Sequence, residues 1–388
     1  MRVFHELTRR TGIHGASHPV RRTKADSLAL VAKHVTGIVT RNPFPGRYDA
    51  LVVPHPRKPG GVEIYTDELR RALHGRALIL DSGINGTPLP GSKNLDFFTS
   101  AAGAIHPRTA DDRGITQALE KLTGVTVPIG PLLAREVPKH RRLRALYRAL
   151  LKRHQIKTVY VVVAYFHQHI VGAARDLGIR VVELQHGAIS PYHLGYSYPG
   201  RPQVANQPDE LWCFGDYWTD VADLPAGMRT EVVGAPFLPA RRPKDPAKAV
   251  FLSQGTVGAE LVHVAEAVAK ANPDLDVVFR LHPSERESDY TIPPNVRVST
   301  GGNTLDLLAE ATYQVGVSTT ALFEGMALGC RTAVANLPGH EYLDPAIAKG
   351  HAMLLQRPTD LTRAPLCTDP SAYYAPSDIS RLTAEQPQ

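Results

Sequence analysis

The sequence predicts an α/β protein of two Rossmann-like domains facing a central cleft, and three observations predict it. Short apolar runs alternate with amphipathic stretches from Tyr48 to about Met353. The run Thr158 to Ala164, the stretch Gln168 to Leu177 and the run Arg180 to Leu184 are joined by short connections. That is a strand–helix–strand unit, so its strands run parallel. The rhythm breaks once, between 238 and 247, where three prolines stand among basic residues, and restarts at Ala249. With 388 residues there is length for two domains. The expected divisions are a basic arm over 1–45, a first domain over 46–238, a second over 248–357 and a Pro-rich, irregular tail over 358–388.

In the arm, Arg9, Arg10, Arg21, Arg22, Lys24, Lys33 and Arg41 surround one expected helix, Ala25 to His34. Ala50 to Val53 reads as a strand, Pro54 to Gly61 as a Pro/Gly turn, Thr66 to His74 as a helix and Ala77 to Leu80 as the next strand. Asp81 to Gly91 is a loop, Asn94 to Phe98 reads as a third strand, and Gly114 to Leu122 and Lys139 to His154 as helices. Thr158 to Ala164 is continuously apolar, as buried parallel strands are. Ser190 to Gln207 is polar and aromatic, too long for a simple turn, and reads as an active-site loop. Strands follow at Glu210 to Phe214 and Glu231 to Val233. Beyond the linker come strand Ala249 to Leu252, helix Ala259 to Ala271, the strand ending at Arg280, strand Asn295 to Val298 and helix Leu305 to Ala311. Strand Tyr313 to Val317, helix Ala321 to Leu328, strand Arg331 to Ala335, helix Tyr342 to Lys349 and a strand near Met353 complete the pattern.

A formal net charge of +7 calls for an anionic partner. Nucleic acid fits poorly, because no helix-turn-helix, zinc-finger or aromatic RNA-binding signature is present. Phosphate-bearing donors, an anionic acceptor or the negative inner face of a membrane fit the charge equally well. The three cysteines, Cys213, Cys330 and Cys367, form no CxxC pair, which argues against a disulfide framework or a structural zinc. Neither an apolar leader nor a run of the ~18 apolar residues a membrane helix needs is present, so a cytoplasmic protein is expected, with peripheral membrane contact left open.

Chemistry concentrates between Leu275 and Leu328. Val277-Val278-Phe279 leads into Arg280-Leu281-His282-Pro283, and Tyr313 to Val317 leads into Ser318-Thr319-Thr320 and a helical pattern holding Glu324. Both segments deliver polar groups at strand carboxyl ends, where open α/β sheets bind ligands. Ser318, Thr319 and Thr320 stand at a helix N-terminus suited to a phosphate, and His282 adds a charge-assisted donor. Ser and Thr here also suit plain N-caps, and His-Pro a plain turn. Glu324 comes four residues after Thr320, on the face of the hydroxyls and not at capping-box spacing. Ser253-Gln254-Gly255-Thr256, the turn after Ala249 to Leu252, supplies further phosphate or acceptor contacts, with Ser253 and Gly255 foremost, an ordinary turn being the alternative.

In the first half, Arg180 to Leu184 delivers Gln185-His186-Gly187, and His186 is the expected base for an acceptor hydroxyl. Gly187 lets backbone approach closely, and Gln185, Gly187 and, in the second half, Arg280 are expected at the substrate. His55, Asp81, His167 and His169 are rival bases. No P-loop, no GxGxxG after a strand and no GxSxG elbow occurs, which excludes the commonest nucleotidase, dinucleotide and hydrolase signatures.

Arg280-Leu281-His282-Pro283, followed by Ser318-Thr319-Thr320 and Glu324, resembles the His-Pro and Ser/Thr motifs of bacterial cell-surface polymer transferases with the GT-B fold. These include capsular sialyltransferases and polysialyltransferases and the CDP-glycerol glycerophosphotransferases. Val232-Val233-Gly234-Ala235-Pro236 is similar to the strand and Gly-x-Pro that open the linker in many GT-B enzymes, and motif support spans about 180–350. The resemblance implies a donor nucleotide on the second domain and an acceptor on the first. His282, Ser318 and Thr319 would hold the donor phosphate with Thr320 beside them, Glu324 would hold the ribose, and neither metal nor cofactor is required. The paired acids of the sialyltransferases are absent from the first half, so the general base stays open between His186 and its rivals. The expected activity is an inverting, metal-independent transfer of a sugar or polyol phosphate from a CMP- or CDP-activated donor to a cell-surface glycan or lipid-linked acceptor. A UDP-hexose transferase, a nucleotide-sugar epimerase and a non-enzymatic binder of anionic glycan are the alternatives.

Overall fold

The computed structural model describes residues 32, 34–55, 63–81 and 87–379. Most of the basic arm and of the expected helix Ala25 to His34 lies outside them, as do parts of the turn after Val53 and of the loop after Asp81.

Two six-stranded sheets organise the chain, and every paired strand is parallel. The first holds β1 (Ala50–Val53), β2 (Ala77–Ile79), β3 (Thr158–Val162), β4 (Arg180–Leu184), β5 (Glu210–Cys213) and β6 (Arg229–Val232), in the order β2-β1-β3-β4-β5-β6. The second holds β7 (Asp245–Leu252), β8 (Asp276–Arg280), β9 (Arg297–Ser299), β10 (Ala311–Gly316), β11 (Arg331–Ala335) and β12 (Met353–Leu355), in the order β12-β11-β10-β7-β8-β9. Helices cover both faces, which is why β1 and β3 are buried at every residue and carry Val, Leu and Tyr without alternation.

The strand order sets where a ligand can sit. In the first sheet the chain leaves β1 to one side for β2 and returns on the other side for β3; in the second it leaves β7 for β8 and returns for β10. At such reversals the following connections diverge to opposite faces and open a crevice at the strands' carboxyl ends. The switch points are therefore β1/β3 and β7/β10.

The helices are α1 (Asp67–Ala72), α2 (Asp96–Ala104), α3 (Ile115–Thr123), α4 (Ile129–His154), α5 (Gln168–Arg175), α6 (Tyr217–Asp220), α7 (Gly258–Ala271), α8 (Thr304–Glu310), α9 (Thr320–Ala327) and α10 (Asp344–Ala348). Four differ from the sequence reading or adjoin an element that does. The expected strand Asn94 to Phe98 is the start of α2, because the Asn94 side chain accepts the Asp96 N–H at 2.7 Å and turns the chain into a helix. Helix α4 begins at Ile129, ten residues earlier than expected, and continues through Pro138, where a sequence reading stops it. The expected helix Tyr342 to Lys349 splits into a 3-10 turn, His340–Leu343, and α10, which Pro345 opens from a position needing no N–H. Before α7, strand β7 starts at Asp245, inside the Pro-rich stretch read as linker; Pro246 sits where its register against β10 shifts.

The tail packs back onto the first domain. Trp218 Nε1 donates to Tyr373 O at 2.7 Å, Ala375 N to Phe214 O at 2.7 Å and Asp378 N to Val233 O at 2.8 Å. Gly234 has φ +76°, and a Cβ there would stand 2.1 Å from Pro376 O, so the Val233-Gly234-Ala235 bend requires glycine twice over. Trp218, Phe323 and Tyr373, all buried, meet with ring centroids 4.9–6.1 Å apart and join the two domains and the tail in one core.

Candidate active site between the two sheets

At the β7/β10 switch point, Gln254 after β7 and Ser318 after β10 face each other. The Ser318 N–H donates to Gln254 Oε1 at 2.8 Å, and Gln254 Nε2 donates to the Ser318 hydroxyl at 3.1 Å. Thr319 caps α9, its hydroxyl accepting the Ala321 N–H at 3.4 Å. The Thr320 hydroxyl accepts the Ala188 N–H, from the loop after β4, at 3.1 Å. Each of the three hydroxyls thus takes an N–H from the fold, and no acceptor for their own protons occurs among the described residues. The backbone N–H groups of Thr319 and Thr320 likewise find no acceptor there. Three hydroxyls and two backbone N–H groups thus stand without acceptors among the described residues at the positive end of a helix, an arrangement suited to an anion.

His282 comes at the tip of β8, with β7 between it and β10. Two strand spacings separate those tips by about 10 Å, so His282 and Ser318 reach different parts of a ligand rather than one oxygen. His282 Nδ1 accepts from Ser284, whose hydroxyl lies at 2.7 Å and N–H at 3.3 Å, which leaves the proton on Nε2. Glu285 holds this tip together: its carboxylate accepts from His282 N at 2.6 Å, Ser253 Oγ at 3.0 Å and Tyr290 OH at 2.7 Å. Ser253 is buried and spent on Glu285, while Gly255 lies exposed in the turn. Glu324 is half-buried on α9.

At the β1/β3 switch point a cavity of about 770 Å³ opens. His55 after β1, Asp81 after β2, and Tyr165, His167 and His169 after β3 line it, together with His140 of α4. Enclosure lowers His167 to about 4 and His169 to about 3, with neighbouring imidazoles adding to the effect, so both are neutral at pH 7. A neutral imidazole both donates and accepts, which suits hydroxyl-bearing ligands.

His186, beside this cavity, is buried, and both ring nitrogens meet tyrosine hydroxyls: Nε2 lies 3.2 Å from Tyr165 OH and Nδ1 3.1 Å from Tyr196 OH. Tyr196 OH donates to Glu183 Oε1 at 2.6 Å, and the Ala164 N–H donates to the same oxygen at 2.9 Å. Burial pushes Glu183 up to about 7, against the opposing pull of those two donors.

Two residues expected at the substrate brace the fold instead. Gln185 accepts the Phe214 N–H at 2.8 Å and donates to Gly187 O at 2.8 Å, shaping the turn that carries His186. Arg280 is buried and donates to Thr304, Ser299, Gly301 and Gly302, pinning the connection between β9 and α8. Residues the sequence reading did not single out are Glu285, Glu183 and Tyr165, while Gln254 lay in the turn after Leu252 and Tyr196 in the expected active-site loop. Glu183 sits inside an apolar strand and carried no signal.

No family model matches the chain, and no curated protein matches it. Among solved structures, MurG of Acinetobacter baumannii aligns over 87% of this chain and 99% of its own at 11% identity and TM-score 0.51. A glycotransferase of kitacinnamycin aligns over 88% and 95% at 16% identity and TM-score 0.50. UDP-GlcNAc 2-epimerase from Neisseria meningitidis aligns over 87% and 98% at 15% identity and TM-score 0.48. The architecture is that of the GT-B fold, two parallel sheets presenting their carboxyl ends to one crevice.

Proposed function

We propose that this chain is a GT-B glycosyltransferase that takes a sugar from a nucleotide-activated donor bound to the second domain and passes it to an acceptor hydroxyl held by the first. The observation that carries this reading is the set of three hydroxyls and two backbone N–H groups at the β7/β10 switch point, none with an acceptor among the described residues and Thr320 bonded to the loop of His186. Ser318, Thr319 and Thr320 bind the departing phosphate. His282, about 10 Å away by strand spacing, binds the nucleoside side or a second phosphate, and Glu324 holds the ribose. Stabilising the charge on the departing nucleotide with fixed donors lowers the barrier, and the two domains hold donor and acceptor in line. His186 belongs to the base of an inverting reaction, and a cytidine nucleotide is the donor that the His-Pro and Ser/Thr motifs favour. A capsular or teichoic acid type of acceptor, glycan or lipid-linked, follows from the same motifs.

A thermal-shift panel of CMP, CDP, UDP, UMP and GDP tests the donor. The expected result is the largest shift with a cytidine nucleotide, lost in Ser318→Ala and reduced in His282→Ala. Equal shifts for all five would remove the support for cytidine, and no shift with any of them would remove the donor site. Turnover of donor without acceptor would mark an epimerase instead.

A further inference from the structure

We propose that Tyr165, His186, Tyr196 and Glu183 form one proton relay, so that an acceptor hydroxyl in the cavity gives its proton to the Tyr165 oxygen and not to His186 directly. The proposal rests on the transferase reading for its chemistry, but its geometry stands alone.

Tyr165 lines the cavity, whereas His186 stands behind it with 6% of its surface exposed. The contacts between them are continuous: Tyr165 OH to His186 Nε2 at 3.2 Å, His186 Nδ1 to Tyr196 OH at 3.1 Å, and Tyr196 OH to Glu183 Oε1 at 2.6 Å. A phenol has one proton to donate. Tyr196 gives it to Glu183, so the Tyr196 oxygen accepts from Nδ1–H, and Nε2 is left as the lone pair that receives the Tyr165 proton. The tautomer of His186 is thereby set by a carboxylate it does not touch. The cavity end is held as firmly: Gly195 lies flat on the Tyr165 ring, where a Cβ would stand 2.3 Å from Cδ1.

In the transfer step the acceptor proton moves to Tyr165 as the Tyr165 proton moves to Nε2. The Nδ1 proton moves to the Tyr196 oxygen and the Tyr196 proton to the Glu183 carboxylate. The acceptor oxygen uses the released electron pair to bond the donor carbon, and the bond from that carbon to the nucleotide's phosphate oxygen breaks with its pair on the phosphate. Glu183 begins ionised and ends protonated, which its elevated proton affinity favours. The groups facing Glu183 are Tyr196 and Tyr198 of the active-site loop, Cys213 of β5, and the Ala164 N–H after β3. None of these groups is a lysine or arginine, so burial dominates and the relay fills as pH falls through about 7.

Two measurements on the full chain decide it. Long-range proton–nitrogen correlation NMR on histidine-labelled protein, with the His186 signals identified by His186→Gln, reads the tautomer without any substrate. The expected result is one Nδ1–H form, converted to a mixture or to Nε2–H in Tyr196→Phe. An Nε2–H wild type, or a tautomer indifferent to Tyr196→Phe, overturns the relay. Kinetics then read its use: Glu183→Gln and Tyr165→Phe should each lower kcat by about 10²–10⁴-fold, with donor KM unchanged, and Glu183→Gln should abolish the acid limb of kcat/KM near pH 7. Wild-type kcat in Tyr165→Phe overturns the cavity end while leaving the transferase reading intact. Should no donor turn over, that reading fails and the tautomer measurement alone judges the relay.

Discussion

The Ser318, Thr319 and Thr320 hydroxyls each accept an N–H, which leaves their own protons for an anion. A hydrogen bond to a charged group contributes about 1.5–3 kcal/mol, so Ser318→Ala should weaken nucleotide binding by about 10- to 100-fold with little change in melting temperature, measured by calorimetry. Gln254→Ala should do the same at one remove, because Ser318 loses the partner that orients it. Burial also gives Glu183 a signature in stability. The folded state keeps this carboxyl protonated up to about 7, against an ordinary 4.5, so between those values the folded protein holds a proton that the unfolded chain has released. Stability contributed by Glu183 is therefore present below about pH 4.5 and falls as pH rises towards 7. Melting curves of wild type against Glu183→Gln across that window should diverge, and parallel curves would contradict the assignment. At this scale the sequence was half legible. His186, Ser318 and His282 stand at strand ends, as the sequence places them, and so do Arg280 and Gln185, whose side chains turn inward, because a side chain's direction depends on neighbours far along the chain.

Regular elements were the most legible part, since period and flanking turn residues are local properties. Misreadings fall where one side chain or one proline outweighs the period, as at Asn94, Pro138 and Pro345. Glycine matters where backbone meets backbone or a ring. Gly234→Ala should cost about 1–2 kcal/mol for its left-handed φ alone, and more for the clash with Pro376 O at 2.1 Å, read as a fall in melting temperature. Gly195→Ala should leave the fold standing but push the Tyr165 ring from its place, lowering kcat more than stability.

Across the whole molecule, the described part of the tail, up to Ile379, is a strap. Tyr373 is fully buried against Trp218 and Phe323, at the joint between the domains. Tyr373→Ala should cost about 3–5 kcal/mol and loosen the cleft, so that nucleotide binding weakens although no ligand contact is removed. Unchanged nucleotide affinity in a destabilised Tyr373→Ala would show that the joint holds the fold without shaping the site. The helices among the described residues include none long and apolar enough to cross a membrane.

By itself the sequence determined the α/β class and the parallel strands. These follow from hydrophobic period and turn chemistry, which act over a few residues. Only the tertiary structure decided that Gln254 stands between His282 and Ser318, that Thr320 reaches across to Ala188, and that Glu183 lies behind His186 through two tyrosines. Those relations depend on strand order and on contacts up to 132 positions apart, and neither is written in any local pattern.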